Sequence, residues 1–238
     1  MDCRSGPGVS ACAGTGSGLP EWRLPRCRVG RVGGMYTRPT NRPENHDAFA
    51  RRVMLDYPFG VIVVSSGERL LHASHIPLLV ISGEGEPVRL AGHLARANEL
   101  WKHLADAPEV LCVFSGPHAF ISSSWYERDD VATWNYAAVH VHGTARLMGA
   151  AELRAHVLAV TERFEGRDGK PVSAESLDKL TPAIVGFEIT ADRVECAQKM
   201  SQNKAEDEFA RVLAGLDRRG EADDVTVARM MREIRPQG

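Results

Sequence analysis

The stretch ATWNYAAVHVHGTARLM (residues 132–148) decides how the rest of the chain is read. Alternation puts Trp134, Tyr136, Ala138, His140 and His142 on one face of an extended strand, as the two-residue period of a pleated backbone requires. Seventeen residues is about three times an ordinary strand. A strand of that length bends, and it serves two parts of a curved sheet.

Its surroundings repeat the signal. Working back, AFISSS (119–124), EVLCVF (109–114), PVRLAGH (87–93), IPLLVIS (76–82), RLLHAS (69–74) and FGVIVVS (59–65) are short apolar runs broken by SGE and SGEGEP. Gly and Ser in those breaks supply the backbone freedom of turns. Pro77 marks a strand start or an edge. Beyond residue 148 the strand signal returns in AIVGFEI and RVECAQKM.

Helices are sparse and peripheral. NHDAFARRVMLDYP fits a helix capped by Asn45, with Phe49 and Val53 inward and Pro58 as the stop. A second is expected over about 97–105. In AAELRAHVLAVTERFEG, Leu153, Val157, Val160 and Phe164 recur at helical spacing up to Gly166. Ser173 caps a short one. Two more close the chain, the first opened by Asn203 with Glu206 in capping-box position. Many adjacent antiparallel strands with few helices between them predict an α+β, mainly antiparallel fold. The expected form is a split β-barrel over 35–200 with peripheral helices, and 201–238 as a C-terminal helical extension of the same domain.

Bulk composition agrees. The chain has 238 residues, 43% of them hydrophobic and 25% charged, enough for a real core. No apolar run is long enough for a membrane-spanning helix. Residues 1–34 differ in kind, with eight Gly, three Pro, five Arg and three of the five Cys, and no apolar period. They are expected to be a disordered or non-native extension, with Met35 as the start of the domain. Five Arg against Asp2 and Glu21 give that segment +3, so of the formal −2 the remainder carries −5. Such a domain is a poor electrostatic partner for duplex DNA. Cys112 and Cys196 lie singly in apolar runs, as buried small hydrophobes of a reducing, cytoplasmic compartment.

The chemistry-bearing residues fall into clusters. In LAGHLARANELW, His93, Arg96 and Asn98 gather donors where a helix is expected to begin near Ala97, an arrangement suited to an anion. Gly92 is read there as room for a ligand to approach the backbone. In HASHIPLL, His75 precedes Ile76 and Pro77. GPHAFISSSWYE carries His118, Trp125 and Tyr126. In TWNY, Trp134 and Asn135 could flank a planar ligand. In QKMSQNKAED, Lys199, Ser201, Gln202, Asn203 and Lys204 crowd donors between a strand and a helix. His140 and His142 have metal-ligand types, but no carboxylate or Cys at ligand spacing joins them, so no metal is expected. GxGxxG, P-loop and nucleophile-elbow motifs do not occur.

Taken together, GHLARAN, GPHAFISSSWY, TWNYAAVHVHG, AIVGFEI and KMSQNK resemble the PaiB-type family, the FMN-binding negative transcriptional regulators. The resemblance runs in order from Met35 to about residue 236. It implies a split barrel similar to pyridoxamine-phosphate oxidase and flavin-reductase relatives, working as a homodimer with FMN at the subunit interface. On that resemblance HLARAN (Gly92, His93, Arg96, Ala97, Asn98) takes the FMN phosphate. His75, Ile76 and Pro77 lie along the ring, and Trp134, Asn135, Gln202, Asn203 and Lys204 complete the pocket. Two functions stay open: transcriptional regulation, directly or as a flavin-responsive accessory, and flavin-dependent oxidoreduction of a small molecule, with no catalytic set identifiable.

Overall fold

The computed structural model describes residues 34–65, 71–106, 109–166 and 169–235. The expected N-terminal extension lies outside them except for Gly34, as does the SGE turn at 66–68. Residues Gly34–Gly238 form one unit.

Seven antiparallel strands build it: β1 Phe59–Ser65, β2 Leu71–Pro77, β3 Leu79–Val80, β4 Arg89–Ala95, β5 Glu109–Ile121, β6 Thr133–Leu147 and β7 Ile184–Lys199. Their order across the sheet is β2-β1-β5-β6-β7-β4-β3. The two edges are therefore successive halves of one extended segment, joined at Leu78, which is fully buried and donates its N–H to Pro58 O at 2.8 Å. The sheet curls until its ends share that segment, and β2 lies against β4 without a ladder between them among the described residues. This is a split barrel. The structure merges two pairs of expected strands: 109–114 with 119–124 into β5, and the two runs after residue 183 into β7. The pairing of β5 with β6 shifts register between Ser115 and His118, so Gly116 and Pro117 form a bulge within β5.

The long strand behaves as its length predicts. Asn135, Ala137, Val139, Val141 and Ala145 face the core, and the even-numbered residues face out. A second register shift falls between His142 and Gly143, where a side chain on Gly143 would meet Thr190 O at 2.3 Å. Only glycine permits the bend there.

Six α-helices pack around the sheet among the described residues. Helix α1 (His46–Asp56) is capped by Asn45 Oδ1, which accepts from Ala48 N at 3.1 Å, and buries Phe49, Ala50, Val53 and Met54. Helix α3 (Ala150–Glu165) buries Leu153, His156 and Val157 and ends at Gly166, while Phe164 at its last turn is half exposed. Helix α4 (Ala174–Leu180) has the expected Ser173 cap. Helix α2 spans Leu100–Asp106 and starts three residues later than expected. Helix α5 (Glu206–Arg219) has Ala205, not Asn203, at its cap position. With α6 (Ala222–Ile234) it contributes Phe209, Val212, Leu216, Val227 and Met231 to the same buried cluster as the sheet residues Phe114, Val139 and Ile189. None of these helices is long and apolar enough to cross a membrane.

Candidate functional site

The predicted residues gather at two places. The first is the end of β4. Leu94 is buried, and the chain then turns through Arg96, Ala97 and Asn98 before α2. Arg96 donates from Nε to Pro182 O (2.8 Å) and from Nη2 to Ile184 O (3.0 Å), and its own N–H bonds Ala183 O (2.7 Å). A guanidinium expected to face an anion thus fastens the start of β7, and its Nη1 alone is uncommitted among the described residues. Asn98 is also shared out: Nδ2 donates to Ser74 Oγ (2.8 Å), across the split to β2, and Oδ1 accepts from Leu100 N (3.1 Å), capping α2. The cap takes up one of the N–H groups that the start of this seven-residue helix would have offered. Ala97 is exposed in the turn.

His93 shares a proton with His156 of α3, Nδ1 to Nε2 at 3.2 Å. Burial pushes both imidazoles below their usual range, and the His93 ring beside it takes His156 down to about 4. The space expected beside Gly92 holds the Phe187 ring, whose Cζ would lie 2.7 Å from an added Cβ. Glycine there serves close packing of two strands, β4 and β7, rather than ligand approach. Along β2, Ile76 points into the core, Pro77 ends the strand half-buried, and His75 is exposed with its ring stacked on Phe59 at 6.3 Å. His72 Nε2 is buried without a hydrogen-bond partner among the described residues.

The second place is where β6 meets β7 and the loop before α5. TWNY and KMSQNK come together there, through a bond no spacing rule foretells: Ser201 Oγ donates to the buried Asn135 Oδ1 at 3.1 Å. Asn135 Nδ2 in turn donates to the Met231 sulfur (3.6 Å), so this amide ties β6 to α6. Ser201 holds a left-handed backbone, φ 60°, the one such non-glycine position among the described residues. Gln202 turns away, its amide closed on Met200 N and Gln198 O.

Beside this junction lies a cleft of ≈ 460 Å³ whose lining includes Arg38, Thr133, Tyr136, Lys199, Asn203 and Lys204. Burial, then the charges of Arg38 and Lys204, lower the pKa of Lys199. Lys204 pairs with Asp130, whose carboxyl that hydrogen bond holds below its ordinary range, and lies 4.6 Å above the Tyr126 ring. Lys199 has the Thr133 hydroxyl at 2.5 Å. Three cations, Arg38, Lys199 and Lys204, thus line one cleft with the single carboxylate Asp130, which pairs with Lys204, a balance that favours an added anion. Trp134 of the same strand, half exposed and edge-on to Phe120 at 5.7 Å, stands outside the cleft's lining. The donor set of the cleft fits an anionic ligand.

Sequence reading did not find Arg38, Asp130 or Thr133 as part of this group. Arg38 is about 160 positions from Lys199, and nothing in YTRPTN distinguishes it from a solvated arginine.

Comparison with known proteins shows the family. The family model described as "Putative FMN-binding domain" matches residues 35–193, more than half of the chain. "Protease synthase and sporulation protein PAI 2" of Bacillus subtilis (strain 168) is 33% identical over 180 residues, 74% of this chain and 86% of that protein. Among solved structures, a conserved hypothetical protein from Mycobacterium tuberculosis superposes with a TM-score of 0.52 at 15% identity, covering 72% of this chain and 95% of that one. A protein from Bacteroides thetaiotaomicron VPI-5482, described as a 5-nitroimidazole antibiotic resistance protein, gives 0.50 at 12% identity, over 65% of this chain and 84% of that one. These two likenesses speak for the fold alone. The chain belongs to the FMN-binding domain family that includes the PaiB-type protein of Bacillus subtilis, and FMN is the cofactor that this membership brings.

Proposed function

We propose that the protein is a PaiB-type homodimer that binds FMN between its two copies and acts as a flavin-responsive negative regulator of transcription in the cytoplasm. One copy supplies His75, Ile76 and Pro77 with the turn from His93 to Asn98. The other supplies Trp134, Asn203 and Lys204, with Arg38 and Lys199 beside them. Gly92, Asn135 and Gln202 act within their own copy, as packing, tie and turn residues. Bound FMN supplies one- and two-electron redox chemistry.

The observation that carries this reading is the separation of the two half-sites. His75 shares a row with Val61, Val113 and His140, three strand spacings from β6, and Trp134 lies six residues further along that strand. Measured along the sheet this is on the order of 20 Å, too far for one flavin nucleotide to touch both clusters of a single chain. A two-fold axis brings the first cluster of one copy against the second cluster of the other. The outer face between them supports such an interface: Phe59 (65% exposed), Leu71 (74%), Phe120 and Trp134 all stand on it, with Val61, Val63, Leu111 and Val113 among them. An apolar area of this kind on a sheet face marks a docking surface. The −5 charge of the domain favours regulation through a protein partner over direct grip on duplex DNA.

Complementation tests the assignment. Arg96→Ala and Lys199→Ala each remove one charge-assisted contact and weaken FMN by about 1.5–3 kcal/mol. Mixed and allowed to exchange, the two variants regain about a quarter of the tight sites, because each mixed dimer has one intact site of two. No recovery on mixing, with dimers exchanging, means that each site lies within one chain and removes the reading. An oxidoreductase reading is favoured by the exposed His75 and His118 flanking the same face. NAD(P)H consumption that depends on FMN and is lost in His75→Ala would establish it.

A further inference from the structure

We propose that His140, His142 and Glu195 bind one divalent transition-metal ion, of the zinc or cobalt class, on the outer face of the sheet where β6 meets β7. Two histidines at i, i+2 project from one side of β6, and the register sets Glu195 of β7 directly opposite His140. One ligand atom from each of the three residues lies within 4.8 Å of the others. His142 Nε2 is already 3.1 Å from Glu195 Oε2. Donors held about 2.0–2.2 Å from a tetrahedral ion stand about 3.3–3.6 Å apart, so the His142–Glu195 pair is already near that spacing and side-chain rotation closes the remaining distances. At His140 and His142 strand β6 is paired on both sides, to β5 and to β7, so the backbone that aims the two imidazoles is held. Three protein ligands leave a coordination position open for water.

The expectation that no carboxylate joins the histidines reflected sequence spacing. Glu195 is 53 residues from His142, and only strand pairing brings it there. The donor set of two imidazoles and one carboxylate suits zinc, cobalt or nickel over magnesium or calcium. Arg193 engages Oε1 at 3.2 Å, which steadies the carboxylate while Oε2 faces the histidines. The site does not depend on flavin, and its test needs none.

Full-length protein stripped with a chelator is titrated with Co2+ and the visible d–d bands are followed, then with Zn2+ to displace them. One equivalent of Co2+ per chain is expected. His140→Ala, His142→Ala and Glu195→Gln each weaken it by more than about tenfold. The exposed His46→Gln serves as a control and leaves the affinity unchanged. Zn2+ raises the melting temperature of the native protein and not that of Glu195→Gln, a near-isosteric variant that keeps the strand pairing. Absence of cobalt bands in the native protein, or equal affinity in native and Glu195→Gln proteins, overturns the proposal.

Discussion

The turn after β4 and the cleft beside β7 carry similar residue types, yet the fold uses them in opposite ways. At the turn almost every donor is consumed inside the chain: Arg96 on carbonyls, Asn98 on Ser74 and a helix cap, His93 on His156. At the cleft Lys199, Arg38 and Lys204 crowd one another, and Asp130, the one carboxylate of the lining among the described residues, pairs with Lys204. Polar residues in a sequence announce hydrogen bonds; whether the partner is the protein or a ligand depends on what the fold brings within reach. The turn is therefore chiefly a knot joining β4, β7, α3 and β2, and the cleft is chiefly a place for something else.

Stability measurements sharpen that contrast. The largest effect is expected from the His93–His156 pair. The folded pKa of His156 is depressed to about 4, so folding favours its neutral form. The stability this pair contributes is present in full above about pH 6.5 and is lost as pH falls from there to about 4, by up to about 3 kcal/mol in total. Urea midpoints taken across that window should fall in the native protein and lose most of the slope in His156→Asn. Parallel slopes would mean that the pair is not a junction at all.

Next comes Gly92→Ala. The added methyl enters the Phe187 ring in a filled core, so a loss of about 2 kcal/mol is expected in equilibrium unfolding. A neutral result would reopen the space beside Gly92 for a ligand. The smallest effect belongs to the cleft. Lys199→Met should change stability by less than about 0.5 kcal/mol, because it removes a cation held against two others. A large loss there would make the cleft as structural as the turn.

Much of the fold was readable in the chain. The period-two run at 132–148, the Asn45 and Ser173 caps, and the Gly166 stop each act over a few residues, where local sterics and hydrogen bonding decide. Errors came where a local signal had a tertiary answer. Asn203 has the right chemistry for a cap, yet it lines the cleft while Ala205 takes the cap position. Phe164 has helical spacing, but α3 runs past the sheet before reaching it. The site was legible as motifs and not as geometry: TWNY and KMSQNK are conspicuous, but their joining through Asn135 and Ser201 is not.

Alternation, capping and turn chemistry operate between neighbours in the chain, so the amino-acid sequence by itself determined the strands, most helix ends, and the family pattern that brings FMN. Which donors remain open for a ligand was decided only in three dimensions. Pairing of β6 with β7 set Glu195 opposite His140, folding of residues 34–41 brought Arg38 to Lys199, and the approach of β7 to β4 occupied Arg96. Those partners lie from 55 to about 160 residues apart, and no local rule reaches that far.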